Sequence, residues 1–205
     1  MLHEIKHPIS DAALTILRAK DTCTTGFRQQ TQRVALMVLT ECLRTMPMDA
    51  VRVVTPVGEA DGCRLLGRLV IVPVLRAGLA FFSAVELLCP DAEVMHAGLA
   101  RDEVTAEANW YLDRIGDLSG AFVVILDPML ATGGSATQVI QRCLERGATT
   151  IVFGCIVAAP EGVAEVERQY PDVRIVTAAL DSHLNDVKYI IPGLGDFGDR
   201  WSGTV

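Results

Sequence analysis

Four stretches of this chain are apolar at nearly every position rather than at alternate ones: RLVIVPVL (68–75), AFVVILD (121–127), TTIVFGCIVAAP (149–160) and VRIVTAAL (173–180). Short runs of this kind, rich in β-branched residues, are strands covered on both faces. Segments with apolar residues at helical spacing lie between them, namely AGLAFFSAVELL (77–88), SATQVIQRCLERGA (135–148) and EGVAEVERQY (161–170). Strands and helices in alternation imply a parallel sheet with helices on both faces. The expected fold class is therefore α/β, a parallel-sheet core flanked by helices.

Two more helices are expected at the N-terminus, SDAALTILRAK (10–20), starting on a good N-cap at Ser10, and FRQQTQRVALMVLTECL (27–43). VRVVTPVGEADGCRL (51–65) reads as a hairpin around Pro56 and Gly58. EVMHAGLARDE (93–103) begins as a strand, and NWYL (109–112) reads as the arm that pairs back on it. The tail YIIPGLGDFGDRWSGTV (189–205) is too rich in Gly and Asp for a core element. No repeat or linker interrupts this order, so residues 1–205 are expected to form one domain.

Charge and cysteine content exclude several classes. A net charge of −7 argues against a nucleic-acid partner, whose phosphates call for clustered Lys and Arg. The N-terminus has no apolar signal region, and the run from Leu69 to Leu75 stops at Arg76, far short of a membrane span. A cytoplasmic protein with no membrane partner is expected. Six cysteines, none in a CxxC pair, disfavour a zinc knuckle or a redox dithiol.

In an open parallel sheet, ligands collect where strand ends lead into helix N-termini. ILDPMLATGGSAT (125–137) sits at such a point. Gly133 and Gly134 leave backbone N–H groups open to an anion, the next helix adds its dipole, and Thr132, Ser135 and Thr137 add hydroxyls. No Walker lysine is present, so a phosphomonoester suits this cradle better than a nucleoside triphosphate. Asp127, last on its strand, can face a ribose diol or a metal, or can serve as an N-cap or surface carboxylate.

Asp-Pro-Met-Leu-Ala-Thr-Gly-Gly-Ser between strand and helix resembles the phosphoribosyl pyrophosphate (PRPP) loop of the type I phosphoribosyltransferases, and its Pro-Met-Leu-Ala resembles the uracil phosphoribosyltransferase branch. Pro128 and Ala131 stand where the purine enzymes carry acidic residues. VPVLRAGL (72–79) is similar to the branch's pyrophosphate loop, and YIIPGLGDFGD (189–199) to its uracil-binding hood. AAPEG (158–162) and D-x-x-L-N at Asp181, Leu184 and Asn185 match as well. Five stretches in the same order make the resemblance specific.

The resemblance implies that uracil and PRPP give UMP and diphosphate, with a β-hairpin lid and the C-terminal hood loop around the reacting groups. It implies PRPP contacts from Arg76, Arg101, Asp127, Pro128, Met129, Leu130, Ala131, Thr132, Gly133, Gly134, Ser135 and Asp196, and a catalytic set of Arg76, Asp127 and Asp196. Uracil contacts are implied at Ile190, Gly195, Asp196 and Phe197, mainly through backbone groups that accept and donate as a pyrimidine dione requires. Magnesium (Mg2+), held mainly by PRPP, is the implied cofactor. A homo-oligomer, at least a dimer, is implied, and some members respond to GTP.

Bare chemistry leaves several of these residues open. Arg76 at the end of a buried strand fits either an ion pair with Glu86 or bidentate contact with pyrophosphate. Arg101 beside Asp102 and Glu103 also reads as an exposed loop arginine, and Asp196 as a turn-former. Phe197 occupies a position that is usually small in the branch, where a ring could stack on the base or crowd it. ARDEVTAEA replaces the branch's usual lid sequence. No general base is identified, and His3, His7, His96 and His183 read as structural. A second function class remains, a catalytically silent homologue that senses PRPP or nucleotide. A Rossmann domain does not, since no G-x-G-x-x-G follows the first strand with an acidic residue some twenty positions on.

Overall fold

The computed structural model describes residues 1–101 and 108–204. The chain opens with a short strand β1 (Leu2–Glu4) and two helices, α1 (Pro8–Arg18) and α2 (Thr24–Cys42). α1 starts two residues before the expected Ser10. His7 is its N-cap, with Nδ1 accepting from the Ile9 amide, and Pro8 fills the first turn, where no N–H is needed. Ser10 is instead buried inside the helix beside Ala13, Leu14 and Leu17.

Strands β2 (Met48–Thr55) and β3 (Gly58–Leu65) form the expected hairpin, a two-stranded sheet of its own. There follow β4 (Arg68–Leu75), a 3-10 turn over Ala77–Phe81, α3 (Phe82–Leu88), β5 (Glu93–Val94), β6 (Ala97–Arg101) and β7 (Ala108–Asp113). β6 and β7 pair antiparallel, as expected of the arm and its return. Next come β8 (Ala121–Leu126), β9 (Met129–Leu130), α4 (Gly134–Glu145), β10 (Thr150–Ala158), α5 (Pro160–Gln169) and β11 (Arg174–Leu180). The chain closes with β12 (His183–Leu184), β13 (Ile190–Ile191) and α6 (Phe197–Ser202).

The main sheet runs β1-β11-β10-β8-β4-β6-β7, parallel except for the β6–β7 pair. Strands β4 and β8 feed two cores by strict alternation. Leu69, Ile71, Phe122, Val124 and Leu126 pack with α1, α2 and α3, while Val70, Val72, Val123 and Ile125 pack with α4 and α5. This is why those strands are apolar throughout. From β4 the chain moves outward to β6 and then returns to place β8 on β4's other side. The strand order therefore reverses at β4, and the crevice beyond the carboxyl ends of β4 and β8 is the topological switch point.

Two expectations need correction. β1, too short to show a pattern, pairs with β11 and extends the sheet edge. The tail does reach the core, since Ile190, Leu194 and Phe197 are all buried. Glycine and aspartate set its turns, but these three apolar side chains anchor it.

Candidate active site

Two loops meet at the switch point. The one after β4 carries Arg76; the one after β8 runs from Asp127 to Ser135. They are pressed together so closely that a Cβ on Gly78 would lie 2.6 Å from the Leu126 carbonyl oxygen. Arg76 is exposed, and among the described residues it pairs with no carboxylate, Glu86 included. An unpaired guanidinium stands at the mouth of the crevice, free to meet an anion in a bidentate fashion.

The second loop is built on backbone pairing. Pro128 is buried and its carbonyl accepts from the amides of Ile156 and Val157 at 2.9 and 3.1 Å. Met129 and Leu130 form β9 along β10, and Leu130 is buried in the core. These three residues fix the loop's course, and the loop is left partly open to solvent at Asp127, Met129, Ala131, Thr132, Gly134 and Ser135. Gly133 is the N-cap of α4 in the left-handed region, with φ of 85°. The first turn of α4 carries no acidic residue, so its N–H groups and positive dipole end face the crevice without a counter-charge of their own. Thr137 departs from expectation: its hydroxyl is turned back, donating to the carbonyls of Gly133 and Gly134.

AAPEG acquires a purpose here. A Cβ on Gly162 would sit 2.4 Å from the Ala131 carbonyl, so only glycine lets α5 lie against the cradle. Glu161 accepts from the Leu184 amide at 2.8 Å, which ties the same segment to β12 and holds its carboxylate below the usual range. Asp127 lies between strand ends, and burial pushes its carboxyl up to about 7, against a weak contact from the Met129 amide. Near neutral pH it can donate as well as accept, which suits a diol.

The hood is held by side chains. Asn185 accepts from the amides of Val187 and Tyr189, shaping the turn that brings β13 back onto β12. Asp181 is buried and receives both terminal nitrogens of Arg18, at 2.8 and 2.6 Å, together with the Gly193 amide at 2.8 Å. Arg200 reaches the carbonyls of Leu194, Leu17 and Ala19 while lying 4.5 Å above the Phe27 ring. Neither arginine stands out in the sequence, because, Leu194 aside, the groups they hold lie at the opposite end of the chain. Asp196 is the N-cap of α6, with Oδ1 accepting from the Asp199 amide at 2.9 Å, so its turn-forming role is realised.

Phe197 corrects an expectation. Its ring is 2% exposed and meets Phe27 edge-on at 5.4 Å, facing the core and not the crevice. From that position the ring is committed to the core. Arg101 ends β6, opposite Ala108; its side chain and the lid tip at 102–107 lie outside the described residues. Among the histidines, His7 caps α1, His3 faces Glu41 at 3.2 Å and His183 bonds Ser182. No group of three or more His, Cys, Asp or Glu side chains is placed to hold a metal among the described residues.

A parallel core with a phosphate cradle at its switch point, an antiparallel edge hairpin and a C-terminal hood defines a type I phosphoribosyltransferase. Within that class the chain belongs to the uracil phosphoribosyltransferase family, whose model matches residues 4–204. It is 44% identical over 205 residues to a uracil phosphoribosyltransferase of Streptococcus sanguinis, covering 99% of this chain and 98% of that one. A uracil phosphoribosyltransferase of Streptococcus equi subsp. zooepidemicus is 45% identical over 202 residues, 98% of this chain and 97% of its own. The solved structure of the AQ2163 protein from Aquifex aeolicus superposes with a TM-score of 0.92 at 36% identity, covering 98% and 97% of the two chains.

Proposed function

We propose that this chain is a pentosyltransferase that joins uracil to the ribosyl group of PRPP, giving UMP and diphosphate. The observation that carries this reading is the unpaired Arg76 guanidinium set across the switch point from the uncompensated N-terminus of α4. One holds a leaving diphosphate and the other a terminal phosphate, which leaves the ribose between them. Uracil N1 forms its bond to the anomeric carbon as the carbon–oxygen bond to diphosphate breaks; the electron pair leaves with diphosphate and the N1 proton passes to solvent or a phosphate oxygen.

In this reading Thr132, Gly133, Gly134 and Ser135 bind the phosphate, Ala131 completes their loop, and Asp127 orients the ribose hydroxyls. Arg76 and Arg101 neutralise charge that grows on the leaving group, the kind of contact that accelerates the reacting step. Ile190, Gly195, Asp196 and Phe197 present hood backbone to the base. Mg2+ bound with PRPP supplies further positive charge on the diphosphate.

The same reading places the whole chain in one domain, in the cytoplasm, and in a homo-oligomer. Support for the last is the hairpin of β2 and β3, which projects Val54 and Val57 at 85% and 98% exposure with none of the described residues over them. No helix among the described residues is long and apolar enough to cross a membrane. The deciding experiment incubates the protein with PRPP, magnesium and each of uracil, cytosine, adenine, guanine, hypoxanthine and orotate, with and without GTP. UMP from uracil alone is the expected outcome, with GTP changing the rate only. PRPP binding with no product from any base overturns it in favour of a silent sensor.

A further inference from the structure

Arg18 and Arg200 grip adjacent peptide units of the hood. Arg18 donates one bond to the Gly193 carbonyl at 2.7 Å and two to Asp181, whose carboxylate in turn accepts from the Gly193 amide. Both polar groups of that peptide position are thereby committed to one buried ion pair. Arg200 takes the next carbonyl, Leu194, at 2.6 Å. Its other two hydrogen bonds go to the carbonyls of Leu17, in the last turn of α1, and of Ala19, its C-cap, which also accepts from the Thr22 amide. The last turn of α1 and the hood are thus stitched together by two forks, each satisfying several acceptors with one planar group.

The position of this stitch matters because left-handed Gly195 and Asp196 follow directly, and Ile190 precedes it by three residues. A hood that reads a base through its main chain has no side-chain adjustment to absorb error, so the direction of its N–H and C=O groups depends on what holds the backbone. From this we infer that Arg18 and Arg200 are positioning residues for base recognition, acting through the Gly193–Leu194 backbone. The inference rests on the reading of the hood as the uracil site. Neither arginine makes a hydrogen bond to the phosphate cradle, which is fixed separately by β10 and Gly162. Loosening the stitch therefore affects the base and not PRPP.

Arg18→Ala would strand the buried Asp181 carboxylate, so the test uses Arg18→Lys and Arg200→Lys, which keep the charge but replace a fork by a single point. The expected result is a uracil KM raised about tenfold or more, an unchanged PRPP KM, and a smaller preference for uracil over cytosine. Hydrogen exchange supplies the second readout: the Gly193 amide exchanges slowly in the unliganded wild type and faster in Arg18→Lys. An unchanged uracil KM in folded variants, parallel rises in both KM values, or equal Gly193 exchange in wild type and Arg18→Lys overturns the inference. The hood reading is tested apart from it. Added uracil with diphosphate should slow exchange of the wild-type amides at 190–197, and no change there sinks the hood reading whatever the lysine variants do.

Discussion

The phosphate cradle and the hood are both glycine-rich loops flanking one crevice, yet they are held by opposite means. The cradle is fixed by backbone: β9 on β10, the Pro128 carbonyl under two amides, and α5 lying on Gly162. The hood is fixed by side chains from far away, with Arg18 and Asp181 separated by 163 residues and Arg200 and Leu17 by 183. Backbone pairing gives a cradle whose shape is nearly independent of side-chain identity. Side-chain anchorage gives a hood whose geometry depends on a handful of groups, and it is there that substitution should alter which base is accepted.

The largest effect should come from removing the hood's apolar anchor. Phe197→Ala empties the space beside Phe27 and is expected to cost about 3–5 kcal/mol of stability, read from denaturant unfolding. Cytosine should still be rejected by the protein that remains folded, because the ring does not face the base. A gain of cytosine activity would show that the ring's orientation had been misassigned. Arg76→Ala sharpens the contrast from the cradle's side. Turnover should fall about 10²–10³-fold with the unfolding midpoint unmoved, since this exposed side chain has no partner among the described residues to lose. Wild-type turnover would remove Arg76 from the site.

Gly162→Ala attacks the cradle through its backbone support. The added carbon cannot coexist with the Ala131 carbonyl at 2.4 Å, so the loop must shift, raising the PRPP KM about tenfold or more while the uracil KM moves less. Equal rises in both would mean that the two regions are not mechanically separate. The smallest effect concerns pH. Burial raises the Asp127 carboxyl from 3.8 to about 7, so between those values the folded protein binds more protons than the unfolded chain. Its contribution to stability is therefore present at acidic pH and is lost as pH rises toward 7. In the unliganded protein, Asp127→Asn should flatten that fall and raise the unfolding midpoint by a few degrees, about 2–4 °C per kcal/mol, at pH 8. An identical pH dependence in the variant would assign the fall to another group.

The same contrast explains which parts were legible in advance. Asp127 through Ser135 announced themselves because a strand, two glycines and a helix are contiguous and their chemistry is local. AAPEG and D-x-x-L-N were recognisable as matching stretches, but their work, seating α5 on Ala131 and receiving Arg18, needs contacts that no window of sequence contains. Phe197 was open to misreading for a related reason. A phenylalanine among glycines and aspartates looks exposed until the ring of Phe27, 170 positions earlier in the chain, is found against it.

By itself, then, the sequence determined the parallel core, the order of its main strands and helices and the place of the glycine loop at the end of β8, since continuous apolar runs and loop chemistry act over a few residues. Tertiary structure alone decided that Arg76 stands at the switch point with no carboxylate partner among the described residues, that Phe197 faces inward, and that two arginines bind the hood to the end of α1. Those outcomes depend on which distant groups satisfy buried carbonyls and carboxylates, and a chain settles that only when it folds.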